Sequence, residues 1–315
     1  MHQFPTLNDI LRAHELIKDS IHKTPVLHSL NINDQLGCEL FFKCENFQKV
    51  GAFKFRGASN AVSNLTSEEL KNGVATHSSG NHAAALALAA KNKNAKAYIV
   101  MPENAPVVKK NAVKSYGAEI IFCKPTLEAR ESTLEKVVSK TKATFIHPYN
   151  NFQVICGQGT ATVEFLEKIS ALDILIAPVG GGGLLSGSAI AAKAIKPDIK
   201  VFAAEPKGAD DAFRSFKSKQ LIPSVNPKTI ADGLLTSLSE LTFNIILNYV
   251  DNILTVNEES IIKAMFLVWE RMKIIIEPSS AVPLAAVIEN KDSFQNKKVG
   301  IIISGGNIDL KKLPF

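Results

Sequence analysis

From Thr24-Pro25 onward the chain alternates short, dense apolar runs with stretches of helical period. The runs are "ELFFKCE" (39–45), "GVATHS" (73–78), "AKAYIVM" (95–101), "AEIIFC" (118–123), "ATFIHP" (143–148), "DILIAPV" (173–179), "KVFAAEP" (200–206) and "KVGIIIS" (298–304). They read as strands buried on both faces. The segments between them, such as "AAALALAAKN" (83–92) and "TLEARESTLEKVVSK" (126–140), read as helices. Strand–helix alternation of this kind is what a parallel sheet covered by helices requires. The predicted class is α/β, with two open, mainly parallel twisted sheets and flanking helices. Two sheets sharing one crevice are favoured over a single large sheet, because 315 residues exceed the usual size of one domain. Ligands of such sheets bind beyond the carboxyl ends of strands, so the chemistry is expected there.

Composition narrows the classes. Hydrophobic residues make up 46% and charged ones 21%, the balance of a globular protein with a sizeable core. The net charge of +6 comes from scattered lysines. The densest run, "KNKNAK" (91–96), has no aromatic interleaving and reads as a solvated helix end, so no nucleic-acid partner is expected. Cys38, Cys44, Cys123 and Cys156 have neither C-x-x-C nor zinc-site spacing and read as reduced core thiols. The N-terminal stretch carries acids and polar residues through its apolar period, so an amphipathic helix is expected and no signal peptide. No apolar run approaches the ~18 residues of a membrane span. The expectation is a cytoplasmic protein with no membrane partner.

One stretch offers a nucleophile and three turns offer ligand sites. In "NFQKVGAFKFRGASNA" (46–61), Lys54 stands between Phe53 and Phe55. Partial burial disfavours the ammonium and lowers its pKa, the condition under which an amine forms a Schiff base with a carbonyl. The alternative is a lysine at a helix N-terminus that snorkels past two core aromatics. In "THSSGNHAAALALAA" (76–90), Ser78, Ser79, Gly80 and Asn81 precede a helix whose free amides favour a carboxylate or phosphate. Plain capping by Ser79 or Asn81 leaves the same pattern. "ILIAPVGGGGLLSGSAIAAKA" (174–194) holds four consecutive glycines, Gly180, Gly181, Gly182 and Gly183. A cap needs only one, whereas four let the backbone wrap an anion, which favours a phosphate cradle over a structural turn. A nicotinamide-dependent oxidoreductase is the rival from another class, with Glu205 as the ribose acid. Its G-x-G-x-x-G/A spacing fails, ending on Leu185 from Gly180 or on Ser186 from Gly181. Finally, "IIISGGNIDL" (301–310) puts the neutral hydroxyl of Ser304 at a strand end, where a lone serine is more often a turn former.

Nearly the whole chain is spanned by "KTPVL" (23–27), "GAFKFRGA", "SSGNH", "HPYN" (147–150), "GQGT" (157–160), "GGGGLLSG", "AAEPKGADDA" (203–212), "TIADG" (229–233), "IEPS" (276–279) and "SGGNIDL". With these the chain resembles the pyridoxal-phosphate enzymes of the tryptophan-synthase β fold type, fold type II, and within them the serine racemase and serine/threonine dehydratase family. Tyr149 and the "AAEPKGADDA" string are similar to the plant-type racemases. The resemblance implies a large domain from residues 1–66 and 151–315, a small domain from 73–147, and pyridoxal 5'-phosphate in the crevice between them. It implies that Lys54 holds the cofactor as a Schiff base and moves the proton on one face of the substrate Cα. Phe53 would pack on the cofactor, Asn81 contact its ring hydroxyl, Tyr149 join the cofactor-binding set, and Gly180 to Gly183 bind its phosphate. Ser304 would face the pyridine nitrogen. A neutral hydroxyl there does not hold the ring protonated as an aspartate would, which suits elimination or prompt reprotonation. Ser79 matches the serine that acts on the opposite face, a poor base at its free pKa that needs help from a neighbouring charge.

The resemblance also implies a substrate carboxylate near Ser78, Ser79, Asn81 and His82, at a helix N-terminus. Arg130 matches an arginine that reaches a bound dicarboxylate, and reads equally as a surface residue. Glu205, the Ala209 carbonyl and Asp211 match a divalent-cation site suited to Mg²⁺, Ca²⁺ or Mn²⁺, where such acids otherwise cap a helix. Lys49, Tyr116, Lys273 and Asn307 match positions of an ATP effector site, from which Val50 and Tyr149 depart. The function expected is a homodimeric serine racemase with serine and threonine dehydratase activity, with threo-3-hydroxyaspartate ammonia-lyase or a pure serine/threonine ammonia-lyase as alternatives.

Overall fold

The structure, a computed structural model, describes residues 4–78, 80–105 and 107–315. Among these residues ten strands form two sheets: β1 (Val26–Leu27), β2 (Glu39–Cys44), β3 (Val74–His77), β4 (Ala97–Pro102), β5 (Glu119–Cys123), β6 (Thr144–Phe145), β7 (Ile174–Pro178), β8 (Lys200–Pro206), β9 (Asn252–Val256) and β10 (Lys298–Ile303). The larger sheet has the order β1-β2-β10-β7-β8-β9 and is parallel except for β1, which pairs antiparallel with β2. The smaller, all parallel, has the order β5-β4-β3-β6. All eight apolar runs become strands. The sequence pattern missed β1 and β9.

Alternate residues of β10 serve opposite faces of the larger sheet, as the two-residue period of a strand requires. Ile301 and Ile303 pack with Phe42, Ile176, Met265 and Val282, under the helices Glu258–Met272 and Pro278–Glu289. Ile302 packs with Leu175, Val201, Leu185 and Ala189, under the helix Gly183–Ile195. In the smaller sheet Val74, Ile99 and Met101 face the helices Lys54–Ser63 and Asn81–Asn92. The N-terminal helix is Leu7–Ile17, which buries Ile10, Ala13 and Ile17 at helical spacing behind a Thr6/Asp9 capping box. No helix among the described residues is long and apolar enough to cross a membrane. All four cysteines are unpaired and buried.

The Lys54–Ser63 helix joins the two bodies. Phe55, Ala58 and Val62 lie in the core of the smaller sheet, while Phe53 packs against the core of the larger one. Lys54 stands between two phenylalanines because they serve different cores. Behind it, Arg56 is wholly buried and forks onto two carboxylates. Its Nε and Nη2 donate to Glu45 at 2.7 and 2.9 Å, and Nη1 and Nη2 donate to Glu164 at 2.8 Å each. Lys43 donates to the same Glu164, so the buried cluster holds two cations and two anions. Paired and hydrogen-bonded charges of this kind fix geometry more than they add stability.

Candidate active site

Sheet order, not chain order, assembles the site. The ends of β2, β10 and β7 are neighbours, so the segment carrying Lys54, the turn at Ser304 and the glycines after β7 lie side by side. The Lys54 amine donates to the Pro148 carbonyl at 2.9 Å and sits 5.0 Å from the centre of the Phe53 ring. Burial pulls its pKa down to about 8, against the opposing pull of the Glu277 charge. An amine that sheds its proton near neutrality can attack a carbonyl. The Phe53 amide donates to the Ser304 carbonyl at 2.9 Å, and Ala52 bridges to Gly305. The lysine is thereby stitched to the end of β10. Ser304, itself buried, has its hydroxyl 2.9 Å from that of Ser280, which also accepts the Gly305 amide at 2.7 Å.

Across the crevice Asn81 opens the Asn81–Asn92 helix. Its Nδ2 donates to both oxygens of Glu277, at 3.0 and 3.1 Å, and its Oδ1 accepts from Asn307 at 2.9 Å. Asn307 also donates to the Val50 carbonyl at 2.7 Å. Val50 has φ +58°, a left-handed backbone that costs a β-branched residue on the order of 1–2 kcal/mol. Glu277 is buried, and burial together with the Asp232 charge pushes its pKa up to about 7. Neither Glu277 nor Ser280 stood out in the sequence. Glu277 precedes Pro278 at a helix start, where an acid reads as an ordinary cap, and Ser280 is a small residue in an apolar helix.

The glycine turn ends at the N-terminus of the Gly183–Ile195 helix, whose first amides have no partners within the helix. Gly182 takes φ +86°, open to glycine at little cost. A methyl on Gly181 would overlap the Tyr149 ring. These amides, the half-buried amine and the hydroxyl pair make a site for an anionic, carbonyl-bearing group.

Residues 17–305 match the family described as pyridoxal-phosphate dependent enzyme. The chain belongs to that family. It is similar to the serine racemase of Dictyostelium discoideum, 56% identical over 98% of this chain and 96% of that one. It is also similar to the L-threo-3-hydroxyaspartate ammonia-lyase of Saccharomyces cerevisiae, 48% identical over 98% and 95%. The structure of maize serine racemase superposes with a TM-score of 0.96, at 46% identity over 98% of this chain and 95% of that one.

The residues of this pyridoxal-phosphate dependent enzyme fit its cofactor: an amine with lowered pKa for the aldehyde, a helix N-terminus for the phosphate, and a neutral hydroxyl beside them. Ser78 is half-buried, and its hydroxyl accepts weakly from the Gly80 amide at 3.4 Å. Ser79 lies outside the described residues. His82 is buried with Nε2 3.0 Å from the Ile146 carbonyl, and burial holds its pKa near 3, so the ring is neutral. Its offer to a carboxylate is a backbone amide at the helix start. Arg130 is half-buried on the helix Leu127–Thr141, and its charge is felt at His77 and Cys123, the ends of β3 and β5. The Arg130 Nε is buried without a hydrogen-bond partner.

Glu205 ends β8 and Asp211 opens the helix Asp211–Ser218, with Ala209 in the short turn between them. Both Glu205 oxygens cap that helix, accepting the Ala212 and Phe213 amides at 3.0 and 2.9 Å. Neither Asp211 oxygen has a hydrogen-bond partner, though the residue is buried. Burial and the charges of Asp211 and Asp210 push Glu205 up to about 9, and burial pushes Asp211 up to about 6. Two buried acids fit a divalent ion, with the Arg214 charge tempering the rise at Asp211. Of the four positions matched to ATP, Lys49 lies 5.8 Å from the Phe55 ring centre and Lys273 ends a helix in the left-handed region. Tyr116 lines a separate groove of about 240 Å³ with Lys91 and Asn94. No hydrogen bond or ion pair among the described residues joins Tyr116 to Lys49, Lys273 or Asn307.

Proposed function

We propose that the enzyme interconverts L- and D-serine and also eliminates water from serine, yielding pyruvate and ammonia, with threonine going to 2-oxobutanoate in the same way. The observation that carries this reading is the Lys54 amine, half-buried and near neutrality, beside a Ser304–Ser280 pair that presents a neutral hydroxyl. The similarity to two serine racemases supports it. Bound pyridoxal phosphate supplies an electron sink that acidifies the substrate Cα–H. The neutral Lys54 amine takes that proton from one face. Racemisation is complete when a proton returns from the other face, a role we assign to Ser79. In elimination the Cα–H and Cβ–O bonds break, the hydroxyl leaves as water with a proton, and the enamine product hydrolyses to the oxo acid and ammonia. The amides of Asn81 and His82 orient the carboxylate. Ser304 would offer the ring nitrogen a hydroxyl in place of a carboxylate, which would not hold it protonated and would favour prompt reprotonation or loss of the β-substituent.

The test is proton NMR of L-serine in D₂O with the purified enzyme, pyridoxal phosphate and Mg²⁺, followed by chiral analysis. Loss of the Cα signal with D-serine appearing beside pyruvate is the expected result. Pyruvate without D-serine would reduce the enzyme to a dehydratase and remove Ser79 as second base. One observation favours a second substrate: the unpartnered Arg130 Nε suits the distal carboxylate of threo-3-hydroxyaspartate, and the yeast ammonia-lyase is 48% identical. Substrate competition between serine and 3-hydroxyaspartate ranks the two.

We further assign residues 1–66 and 151–315 to a large domain and 73–147 to a small one, since β3 to β6 all lie in the latter span. Glu205, the Ala209 carbonyl and Asp211 would hold Mg²⁺ or another hard divalent cation, supported by the unpartnered Asp211 carboxylate. The unpaired cysteines support a reducing, cytoplasmic setting. A homodimer and an ATP effector follow from the resemblance alone, and sedimentation with and without ATP tests both.

A further inference from the structure

An anion cradle needs amides, which almost any residue supplies. Glycine is required only where a Cβ has no room or φ is positive. Gly182 meets the second condition with its φ of +86°. At Gly180 a Cβ would lie 2.9 Å from the Leu234 Cα. The other two answer to one residue: a Cβ at Gly181 would overlap the Tyr149 ring, and one at Gly183 would lie 2.9 Å from the Tyr149 Cβ and 3.0 Å from its Cα.

Tyr149 is itself firmly placed. The His147 ring meets the tyrosine ring edge-on, with centres 4.5 Å apart and planes at 90°. His147 Nδ1 accepts the amides of Tyr149 and Asn150 at 3.3 and 2.8 Å. Burial keeps His147 neutral down to about 4, so that nitrogen stays an acceptor. The residue between them, Pro148, accepts the Lys54 amine. One three-residue segment therefore touches the lysine amine through Pro148 and the glycine turn through Tyr149.

We propose that Tyr149 is a positioning residue for the cofactor phosphate: its ring seats the turn at Gly181 while its Cα and Cβ abut Gly183, and so it sets the distance between the turn's amides and the Lys54 amine. The tyrosine and the absence of a side chain at 181 are then one device. This rests on the pyridoxal-phosphate reading and not on the choice of amino-acid substrate. Its readout is cofactor affinity, so it stands or falls separately from the assignment to serine.

The experiment is a double-mutant cycle on the cofactor-free enzyme, with pyridoxal phosphate Kd read by absorbance titration and melting followed in parallel. Gly181→Ala alone should weaken binding by about tenfold or more, yet by no more than about twofold in a Tyr149→Ala background, the non-additivity of residues in contact. Tyr149→Ala should itself weaken binding, and Tyr149→Phe should restore it, because the ring and not the hydroxyl does the seating. The proposal is overturned if Gly181→Ala costs the same factor with and without the ring. Should Gly181→Ala fail to fold, the comparison of Tyr149→Ala with Tyr149→Phe decides alone: equal affinities overturn the proposal.

Discussion

Lys54 and Glu277 are two buried ionisable groups whose pKa values have been drawn toward each other, the amine down to about 8 and the acid up to about 7. For the lysine, only the neutral amine attacks an aldehyde. The rate at which the cofactor-free enzyme captures pyridoxal phosphate should climb roughly tenfold per pH unit below about 8 and level off above it. Stopped-flow absorbance would measure this, and a rate still climbing toward pH 10 would mean the amine is not depressed. Glu277 acts on stability with the opposite sense. Its raised pKa means the folded chain holds a proton there that the unfolded chain has lost between about pH 4.5 and 7. Stability from this group is therefore present at low pH and lost as pH rises through 7, by on the order of 3 kcal/mol at most. Urea unfolding of the cofactor-free enzyme at pH 5 to 8 should show a smaller decline in Glu277→Gln than in the parent, and equal declines would count against the assignment. Lys54 was legible because aromatic neighbours on both sides announce burial. Glu277 was not, because its raised pKa depends on Asp232 and on burial that only the tertiary fold creates.

Among elements, the apolar runs revealed the six interior strands because both faces of a central parallel strand are buried and the run is unbroken. β5 and β6, also found, are edges of the smaller sheet and stay partly exposed, against the expectation of burial on both faces. β9, "NILTV", buries only Ile253 and Val256 at the sheet edge, and the two-residue β1 is too short to leave a period. The glycine turn was legible as a turn, but its cause was not: the sequence suggested an anion wrapping four amides, whereas the fold supplies a separate steric reason at all four positions. The Lys54–Ser63 helix is placed by packing as well as charge, since a Cβ at Gly157 would lie 2.6 Å from the Arg56 carbonyl oxygen. Arg56→Met would leave Glu45 and Glu164 buried with Lys43 as the cluster's remaining cation. Breaking a buried charge cluster by removing one partner costs about 3–5 kcal/mol, so a large drop in unfolding midpoint is expected by urea titration. A change within about 0.5 kcal/mol, the range of an ordinary surface substitution, would mean the cluster does not fasten the helix.

At the scale of the whole molecule, two sheets meet over a crevice that few polar contacts span. Asn81 reaches the buried Glu277 and, toward its mouth, the exposed Asn307. Nearer the surface, Lys109 on the helix Val107–Ser115 donates to Asp232 at 2.6 Å. It is the one ion pair among the described residues that joins the smaller sheet's body to the larger's. Asp232 belongs to the turn Asp232–Leu234, against which Gly180 packs, and the Gly233 amide donates to Ser279 at 3.0 Å. The pair thus ties the smaller body to the wall of the phosphate turn. Sequence alone could not foresee this, because the two residues share neither an element nor a period. Asp232 is more than half exposed, so water screens the bridge and its contribution is only about 0.2–1 kcal/mol. If closure of the crevice is what that energy favours, Lys109→Ala should lower kcat/KM for serine by up to about fivefold, mostly through KM. Salt should do to the parent what the mutation does, since exposed pairs are screened over about 8 Å at physiological ionic strength. The parent's advantage over Lys109→Ala should shrink as salt rises. A constant ratio across salt concentrations would assign the loss to packing of the lysine stem and not to its charge.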